Sequence, residues 1–453
     1  MEFAAFTNSI IYVLFAALAI TFAIGFRMGY KNGGWNRNLI YLWTLIIHIQ
    51  YTLFTPLFFY NEGKATLNGT DITQYYGLGT FYNLLAMVFF VIGYWIIGLK
   101  LKGKWNNQPT QQLINPLKWI SILFYFFYAL IIINMSLGGI NVAQVYFGNE
   151  SVGLGAQGAT YYIQNFTNSL ITLIILAFLF DLPKRTLIFW IVISFFLFSI
   201  LGFRFRILLT LFGLSFVYLY KYKIHLKQII IGIVLVLFFM YLVMFSTENR
   251  STLITRDYSA IEYNPAKFNY YKFFDQTRGA LADICVYKLY DNPNKSATHD
   301  YGISMFAYVF IRLVPRALFE NKDDYYPAPQ IKTTIAAYDA FWGKFTGEAT
   351  LSVAALYINF GWLGIVIGYF IWALLIRKYS NRVVVRDKIS LIKYIVVALV
   401  TFQWVTRGFF PQVVDIAAYM LIPVWLFSKF SKKEVSGART SRIHSHLDSA
   451  VLK

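Results

Sequence analysis

Long apolar runs recur along the chain, and they limit the possible folds more than any other feature of the sequence. Runs such as IFWIVISFFLFSI and IVIGYFIWALL lie within stretches that carry few charges. A helix of about 20 apolar residues crosses the hydrocarbon core of a bilayer. The chain is 58% hydrophobic and 13% charged, whereas a soluble domain has about 25% charged residues. The sequence therefore predicts an all-α, polytopic membrane protein.

The apolar runs divide the chain into spans and four regions. We predict a transmembrane bundle of eight spans over residues 1–246, a large ordered outer loop over 247–349, three spans over 350–428 and a basic tail over 429–453. The eleven predicted spans cover roughly residues 8–26, 38–60, 79–99, 117–137, 161–180, 186–203, 207–220, 229–246, 350–376, 391–406 and 411–428.

Basic residues concentrate in alternate gaps between these spans. The net charge is +19. In a membrane protein the positions of the basic residues indicate which side of the membrane each gap faces, so we expect no nucleic-acid partner. By the positive-inside rule the basic gaps are cytoplasmic, which puts the N-terminus outside and the C-terminus inside. The basic residues that decide this topology include Arg27, Lys31, Arg37, Lys100, Lys102, Lys104, Lys184, Arg185, Lys221, Lys223, Arg377, Lys378, Arg382 and Lys388.

Two turns on the predicted outer face oppose this rule. One holds Arg204 and Arg206 in LGFRFRILLT, and the other holds Arg407 in VTRGFFPQ. One explanation is that spans six and seven form a re-entrant pair, with the first two arginines facing the cytoplasm. The other is that a function at the outer face requires these cations. The sequence of the first turn leaves open which of its two arginines points into the bundle.

The predicted outer loop, residues 247–349, is rich in both charge and aromatic residues. It holds twelve of the 21 acidic residues and twelve of the 40 basic ones. A disordered linker would be poor in aromatic residues, so we expect ordered helices lying along the membrane surface. Loops longer than about 15 residues tend to be functional. The composition favours a lid that handles a substrate.

Arginines and carboxylates on the predicted outer face supply the candidate chemistry. A guanidinium group matches phosphate oxygens in bidentate fashion, which favours a diphosphate site, although single arginines also snorkel to lipid headgroups or pair with loop carboxylates. A carboxylate is the candidate proton acceptor, although an acid at a helix start is also favoured by the helix dipole. The candidate diphosphate ligands are Arg204, Arg206, Arg250, Arg278, Arg312, Arg316 and Arg407, and the candidate catalytic acids are Glu348, Asp275 and Asp283.

Sequence signatures of metal sites are absent from the predicted outer segments. The chain has no HExxH or CxxC pattern there and no P-loop. We therefore expect neither a metal ion nor another cofactor, and nucleotide-driven transport is disfavoured.

Several of these segments together resemble a known family, the Wzy-type polymerases of bacterial surface polysaccharide. The resemblance rests on GFRFRILLTLFGL, FIRLVPRALFENK, TRGFFPQ and GEATLSVAALYINFGWLGIVIGYFIWALL, and on a large outer loop before the last spans. The last of these segments contains Tyr357 and Asn359, which the resemblance implies as substrate-binding residues. It also implies a fold that resembles the GT-C-type membrane glycosyltransferases.

The resemblance further implies a reaction at the outer leaflet of the cytoplasmic (inner) membrane. The donor would be an undecaprenyl-diphosphate-linked oligosaccharide repeat unit, and the acceptor a sugar hydroxyl of a second lipid-linked unit. The product would be a surface polysaccharide such as O-antigen. Membrane lipids and a Wzz-type chain-length regulator would be the partners.

Two other functions remain open from the sequence. A ligase that transfers finished glycan to the lipid A core shares this layout, but such enzymes resemble one another around an outer-loop histidine, and His299 lies in different surroundings. A flippase for the same lipid-linked glycan would line a central cavity with charges. The predicted spans carry almost no charge in their interiors, and no inverted repeat is evident.

Overall fold

The protein is described by a computed structural model. It describes residues 8–63, 66–67, 70–97, 113–136, 165–200, 204–222, 258–267, 274–291, 297–311, 328–341, 349–383 and 387–431, together with the isolated positions 241, 244–245, 249 and 314.

Helices form nearly all of the described chain. Short π-helical segments cover Ile49–Phe54, Gly93–Ile97 and Ile303–Ala307, and one small hairpin pairs β1 (Thr66–Leu67) with β2 (Thr70–Asp71). The α-helices are α1 (Asn8–Lys31), α2 (Gly34–His48), α3 (Thr55–Asn61), α4 (Thr73–Ile92), α5 (Pro116–Asn134), α6 (Thr167–Leu179), α7 (Lys184–Ile200), α8 (Arg204–Lys221), α9 (Gly279–Asp291), α10 (Tyr308–Ile311), α11 (Pro329–Phe341), α12 (Ser352–Ser380), α13 (Lys388–Arg407) and α14 (Phe410–Ser431).

Seven helical segments within the described residues are long and apolar enough to cross a membrane. Their outward faces carry large apolar side chains, such as Val13 at 65% and Tyr125 at 66% exposure. In water such faces would be an aggregation liability, whereas in a bilayer they contact lipid. The chain is therefore an integral membrane protein with a helical bundle. The seven segments are Asn8–Lys31, Arg37–Asn61, Thr73–Trp95, Pro116–Asn134, Ser352–Ser380, Lys388–Arg407 and Phe410–Ser431.

The predicted total of eleven spans is not confirmed. The fifth predicted span corresponds to α6, whose 13 residues reach about 20 Å, less than the hydrocarbon thickness of about 30 Å. Helix α8 starts with two arginines and ends with a lysine, which lowers its apolar content. The predicted span at 229–246 lies almost wholly outside the described residues, so the total stays a prediction.

One end of the bundle collects the basic gaps. Arg377 donates to Asn38 Oδ1 (3.2 Å), and Lys221 forms an ion pair with Asp181. We call this the basic end; it holds Arg37, Asp181, Lys221, Arg377 and Lys388. We call the opposite end, where α4, α6, α8, α12 and α14 start and α13 ends, the loop end.

Helix α9 differs from the predicted surface helices. Nine of its residues are buried, including Leu281, Cys285 and Tyr287. It packs against α4 closely enough that Ile284 lies over Gly79, where an added Cβ would approach Ile284 Cγ1 to 2.8 Å. This loop helix is therefore part of the bundle. Its apolar residues lie on all of its faces, so every face requires burial.

Helix α12 is broken at Gly361, whose φ of 67° and ψ of −161° depart from helical geometry. The break leaves carbonyls without partners inside the helix. Asp300 N donates to Ile358 O (3.2 Å) and Tyr301 N donates to Asn359 O (3.0 Å), so the loop at 297–302 satisfies them. The loop thereby attaches to the helix that re-enters the bundle.

Candidate functional site

Two Thr-Arg-Gly tripeptides, residues 277–279 and 406–408, meet at the loop end. We call them the TRG turns. A Cβ on Gly279 would lie 2.6 Å from Leu351 Cδ2, and one on Gly408 would lie 2.6 Å from Leu351 O. Both turns therefore pack against Leu351, and each places an arginine one residue from this contact.

The second TRG turn requires glycine for two reasons. Gly408 follows the end of α13 with φ of +57°, a left-handed conformation that ends helices and disfavours a side chain. Its backbone also lies against two carbonyls, because an added Cβ would come within 2.8 Å of Thr350 O as well as meeting Leu351 O. A larger residue would force the turn away from residues 349–351.

Gln330, at the start of α11, joins the second TRG turn to residues 349–351. Its Nε2 donates to Gly408 O (3.1 Å) and to Thr350 Oγ1 (3.4 Å), and its backbone N donates to Ser304 Oγ (2.8 Å). The side chain is buried at 2% exposure. These bonds fix the position of Arg407 relative to the start of α12.

The first TRG turn lies against the π-helical segment Ile49–Phe54. Thr277 Oγ1 is 2.6 Å from Thr55 Oγ1, and Gln50 Nε2 donates to Thr277 Oγ1 (3.3 Å). The next residue, Tyr51, lies within electrostatic range of Arg407. Isolated π-helical turns are frequent at functional sites. This one is adjacent to both TRG turns.

Arg278 is held at the loop end by two side chains. Its NH1 pairs with Asp275 Oδ1 (3.4 Å), and its NH2 donates to Tyr338 OH (3.2 Å) on α11. Its side chain is 23% exposed, and that of Asp275 is 37% exposed. A partly exposed pair is weak in energy, so an anionic ligand can compete with Asp275 for the guanidinium.

Arg206 points into the bundle near the same end. It is 2% exposed, and its Nε donates to Asn168 Oδ1 (2.8 Å) at the start of α6. Helices α6 and α8 also meet at the basic end through Lys221 and Asp181, so α8 runs away from the loop end and its first turn lies there. Arg204 starts this helix, and its side chain is outside the described part.

Asp283 lies on α9 and accepts a hydrogen bond at the start of α12. Leu351 N donates to Asp283 Oδ1 (2.8 Å), while Oδ2 has no partner within the described residues. Burial raises the pKa of this carboxyl well above its ordinary value, against the opposing effect of the backbone donors. The titratable groups that interact with it are Cys285, Tyr287 and Tyr369. The hydrogen bond from Leu351 N makes this carboxyl a cap for the start of α12.

We expect Asp283→Asn to preserve the start of α12, because the amide oxygen still accepts from Leu351 N. Since the folded-state pKa lies above the unfolded value of about 4, the carboxyl favours folding below about pH 4, and this contribution is lost as the pH rises towards the folded-state pKa. The asparagine does not ionise. Thermal unfolding should therefore show equal stability at about pH 4 and a more stable variant at about pH 7.

The matched comparison is Asp283→Ala, which removes the acceptor. Loss of a helix cap costs about 1 kcal/mol, so this variant should unfold at a lower temperature than Asp283→Asn throughout. Equal stability of the alanine and asparagine variants would contradict the capping role.

The two predicted substrate-binding residues lie on α12 before its break. The ring of Tyr357 is half-buried among those of Tyr82 (5.3 Å between centroids), Tyr287 (5.0 Å) and His299 (5.5 Å). Asn359 is fully buried, and its Nδ2 donates to a carbonyl of its own helix, Ala355 O (2.7 Å). The two side chains therefore contribute to packing and helix geometry in this structure.

Four predicted site residues lie outside the described residues: Glu348, Arg250, Arg312 and Arg316. Of the described candidates, the structure brings Arg278, Asp275, Asp283 and Arg407 to the surroundings of residues 349–351. Glu348 immediately precedes that segment in the chain.

Sequence reasoning missed the residues that assemble this site, namely Gln50, Thr277, Gly279, Gln330 and Gly408. The repetition of Thr-Arg-Gly in two distant segments is a signal that the sequence offered. The amides of Gln50 and Gln330 carry no comparable signal, because an isolated glutamine occurs in any helix.

Residues 346–435 match a family model described as O-antigen polysaccharide polymerase Wzy. The predicted Wzy-type resemblance is thereby confirmed. The match covers α12, α13 and α14 and includes the second TRG turn. No match to a curated protein or to a solved structure was found.

The Wzy match supports a polymerase of O-antigen type at the level of the family. Such a family implies a lipid-linked oligosaccharide substrate and a glycosyltransferase-type reaction at a membrane. The matched Wzy segment begins two residues before Glu348, so it contains the stretch against which both TRG turns pack.

Proposed function

We propose that the chain joins undecaprenyl-diphosphate-linked oligosaccharide repeat units into a surface polysaccharide. The observation that carries this proposal is the packing of both TRG turns against Leu351. Two arginines from distant parts of the chain are thereby held beside the segment that follows Glu348. Cations from two sides suit a ligand with two phosphates.

In the proposed reaction, the acceptor sugar hydroxyl attacks the anomeric carbon of the donor glycan. The bond between that carbon and the diphosphate oxygen breaks, and the diphosphate lipid leaves with the bonding electron pair. Arg278 and Arg407 stabilise the charge that develops on the diphosphate. Arg204 and the buried Arg206 are further candidate cations at the same end. Arg250, Arg312 and Arg316 remain further candidates for this binding.

The proton of the attacking hydroxyl passes to a carboxylate in this proposal. Glu348 is favoured by its place next to residues 349–351, and Asp275 by its pairing with Arg278 (3.4 Å). We assign Asp283 a positioning role, since it is buried and caps α12. Tyr357 and Asn359 support the same helix start from within α12.

We further propose that the loop end faces outward from the bacterial inner membrane. The basic end collects the residues that the positive-inside rule assigns to the cytoplasm. The N-terminus is then outside and the C-terminus inside. Under this proposal the four regions predicted from the sequence keep their roles, the fold resembles GT-C-type enzymes, and a Wzz-type regulator is a partner.

The ligase alternative gains no support from His299. Its Nδ1 is 3.3 Å from Ile358 O, and its ring stacks on Tyr290 at 4.8 Å. The ring also lies against Gly361, where an added Cβ would approach Nε2 to 3.3 Å. This histidine is engaged in closing the break in α12.

Deletion of the gene tests the function directly. We expect the surface glycan to shrink to one repeat unit per lipid acceptor, because a single unit is still flipped and ligated without polymerisation. Gel ladders of the surface glycan measure this, and complementation with the intact chain is the control. Complete absence of the glycan would indicate a ligase or flippase and overturn the proposal.

A further inference from the structure

A groove runs along the exposed face of the second membrane-spanning segment. It has a volume of about 280 Å³ and is lined by Gln50, Phe54, Leu57, Phe58 and Asn61 of that segment and by Phe274 of the loop. The five lining positions on the span recur at spacings of three and four residues, so they form one stripe of the helix. The groove therefore opens to the side of the bundle.

Three of the six side chains that line this groove are phenylalanines, and five of the six belong to a membrane-spanning segment. Phe54 is 53% exposed although it is seven residues inside the end of the span at Asn61. The ring of Phe58 stacks on that of Phe274, with centroids 4.0 Å apart and planes at 12°. An exposed aromatic face within a membrane-spanning segment contacts lipid chains.

The groove is continuous with the first TRG turn. Gln50, at its inner end, donates to Thr277 Oγ1 (3.3 Å), and Thr277 precedes Arg278. Phe274, at its outer end, precedes the Asp275 that pairs with Arg278. An apolar channel open to lipid thus lies beside a guanidinium group at the proposed diphosphate site.

We propose that this groove binds the isoprenoid chain of the lipid-diphosphate substrate next to its diphosphate. The inference rests on the proposed function, because it takes the diphosphate to lie at Arg278. A polyprenyl diphosphate joins its charged head directly to a methyl-branched chain, so a site for the head needs an apolar surface beside it. Entry into the groove exchanges lipid contacts for protein contacts, so packing against the rings gives the selectivity.

Binding of short probes to the purified full chain in phosphatidylcholine nanodiscs tests the groove. The probes are farnesyl diphosphate and inorganic diphosphate. We expect Phe54→Ala combined with Leu57→Ala to weaken farnesyl diphosphate binding about 10-fold, through lost packing contacts, and to leave inorganic diphosphate unchanged. Leu57→Trp, which fills the groove, should have the same selective effect. Arg278→Ala should weaken both probes.

The matched control is Phe126→Ala on α5, because Phe126 is 51% exposed on another lipid-facing surface. It should change neither affinity. Unchanged farnesyl diphosphate affinity in both groove variants would overturn the inference, as would an equal loss of inorganic diphosphate binding. Contact of spin-labelled phosphatidylcholine with the groove is measured in the same variants. If they lose this contact as strongly as they lose farnesyl diphosphate binding, the groove binds ordinary lipid and the inference is overturned.

This experiment is independent of the polymerase assignment. If the gene deletion gives no single-unit glycan but the groove variants lose farnesyl diphosphate selectively, the function fails and the lipid site holds. If deletion leaves single units and the groove variants bind normally, the function holds and the lipid site fails.

Discussion

Arg278→Ala and Arg407→Ala are each expected to abolish long glycan chains while the protein remains in the membrane. Both arginines lie beside Leu351 through the glycines that follow them, and each would stabilise charge on the departing diphosphate. Loss of one such donor costs about 100- to 1,000-fold in rate. Chain-length ladders of the surface glycan, normalised to the amount of protein in the membrane, measure the effect.

Arg382→Ala is the matched control for these variants. Arg382 is exposed and follows α12 at the basic end, so it removes the same charge at the far side of the bundle and should leave the ladders normal. Arg278→Lys adds a second comparison, since a lysine keeps the charge but loses the bidentate fork. Normal long chains in both alanine variants would rule out the two-arginine diphosphate site.

Gly408→Ala is expected to destabilise the protein and to shorten the glycan chains. The left-handed conformation at φ of +57° costs an alanine about 1–2 kcal/mol. The added Cβ would also approach Leu351 O to 2.6 Å, and such crowding costs about 1–3 kcal/mol more. Thermal unfolding of the purified protein measures the first effect, and glycan ladders measure the displacement of Arg407.

The Gly34→Ala variant separates the cost of the left-handed backbone from the cost of crowding by the added Cβ. Gly34 has a similar φ of +54°, but an added Cβ there would meet nothing within 4 Å. It should therefore show only the cost of the left-handed conformation and normal ladders. Equal destabilisation by the two variants would show that the contact with residues 349–351 contributes nothing.

The sequence predicted the membrane-spanning helices well because their signal is local. A helix that spans a bilayer needs apolar residues along its length, so a helix such as α12 or α13 can be predicted from its own sequence. The number of spans was harder to predict from the sequence. Helix α6 is too short to cross a membrane by itself, and its neighbours in the bundle bury it.

The candidate site was predicted only in part. Arg278 and Arg407 were chosen from their charge and position, but the sequence treated them as members of a set of seven. Arg206 was one of two alternatives in its turn, and the structure shows it buried against Asn168. Asp283 was predicted to be a catalytic acid, but the structure shows that its carboxyl accepts a hydrogen bond from Leu351 N at the start of α12.

The sequence by itself determined the class of the protein, its apolar spans, the grouping of basic gaps and the arginines worth testing. These properties follow from composition within each segment. Only the tertiary structure decided that α9 is buried, that α12 breaks at Gly361 and that the two TRG turns meet at Leu351. The physical reason is that these contacts join residues far apart in the chain, and close packing of glycines, carbonyls and buried amides depends on the whole bundle.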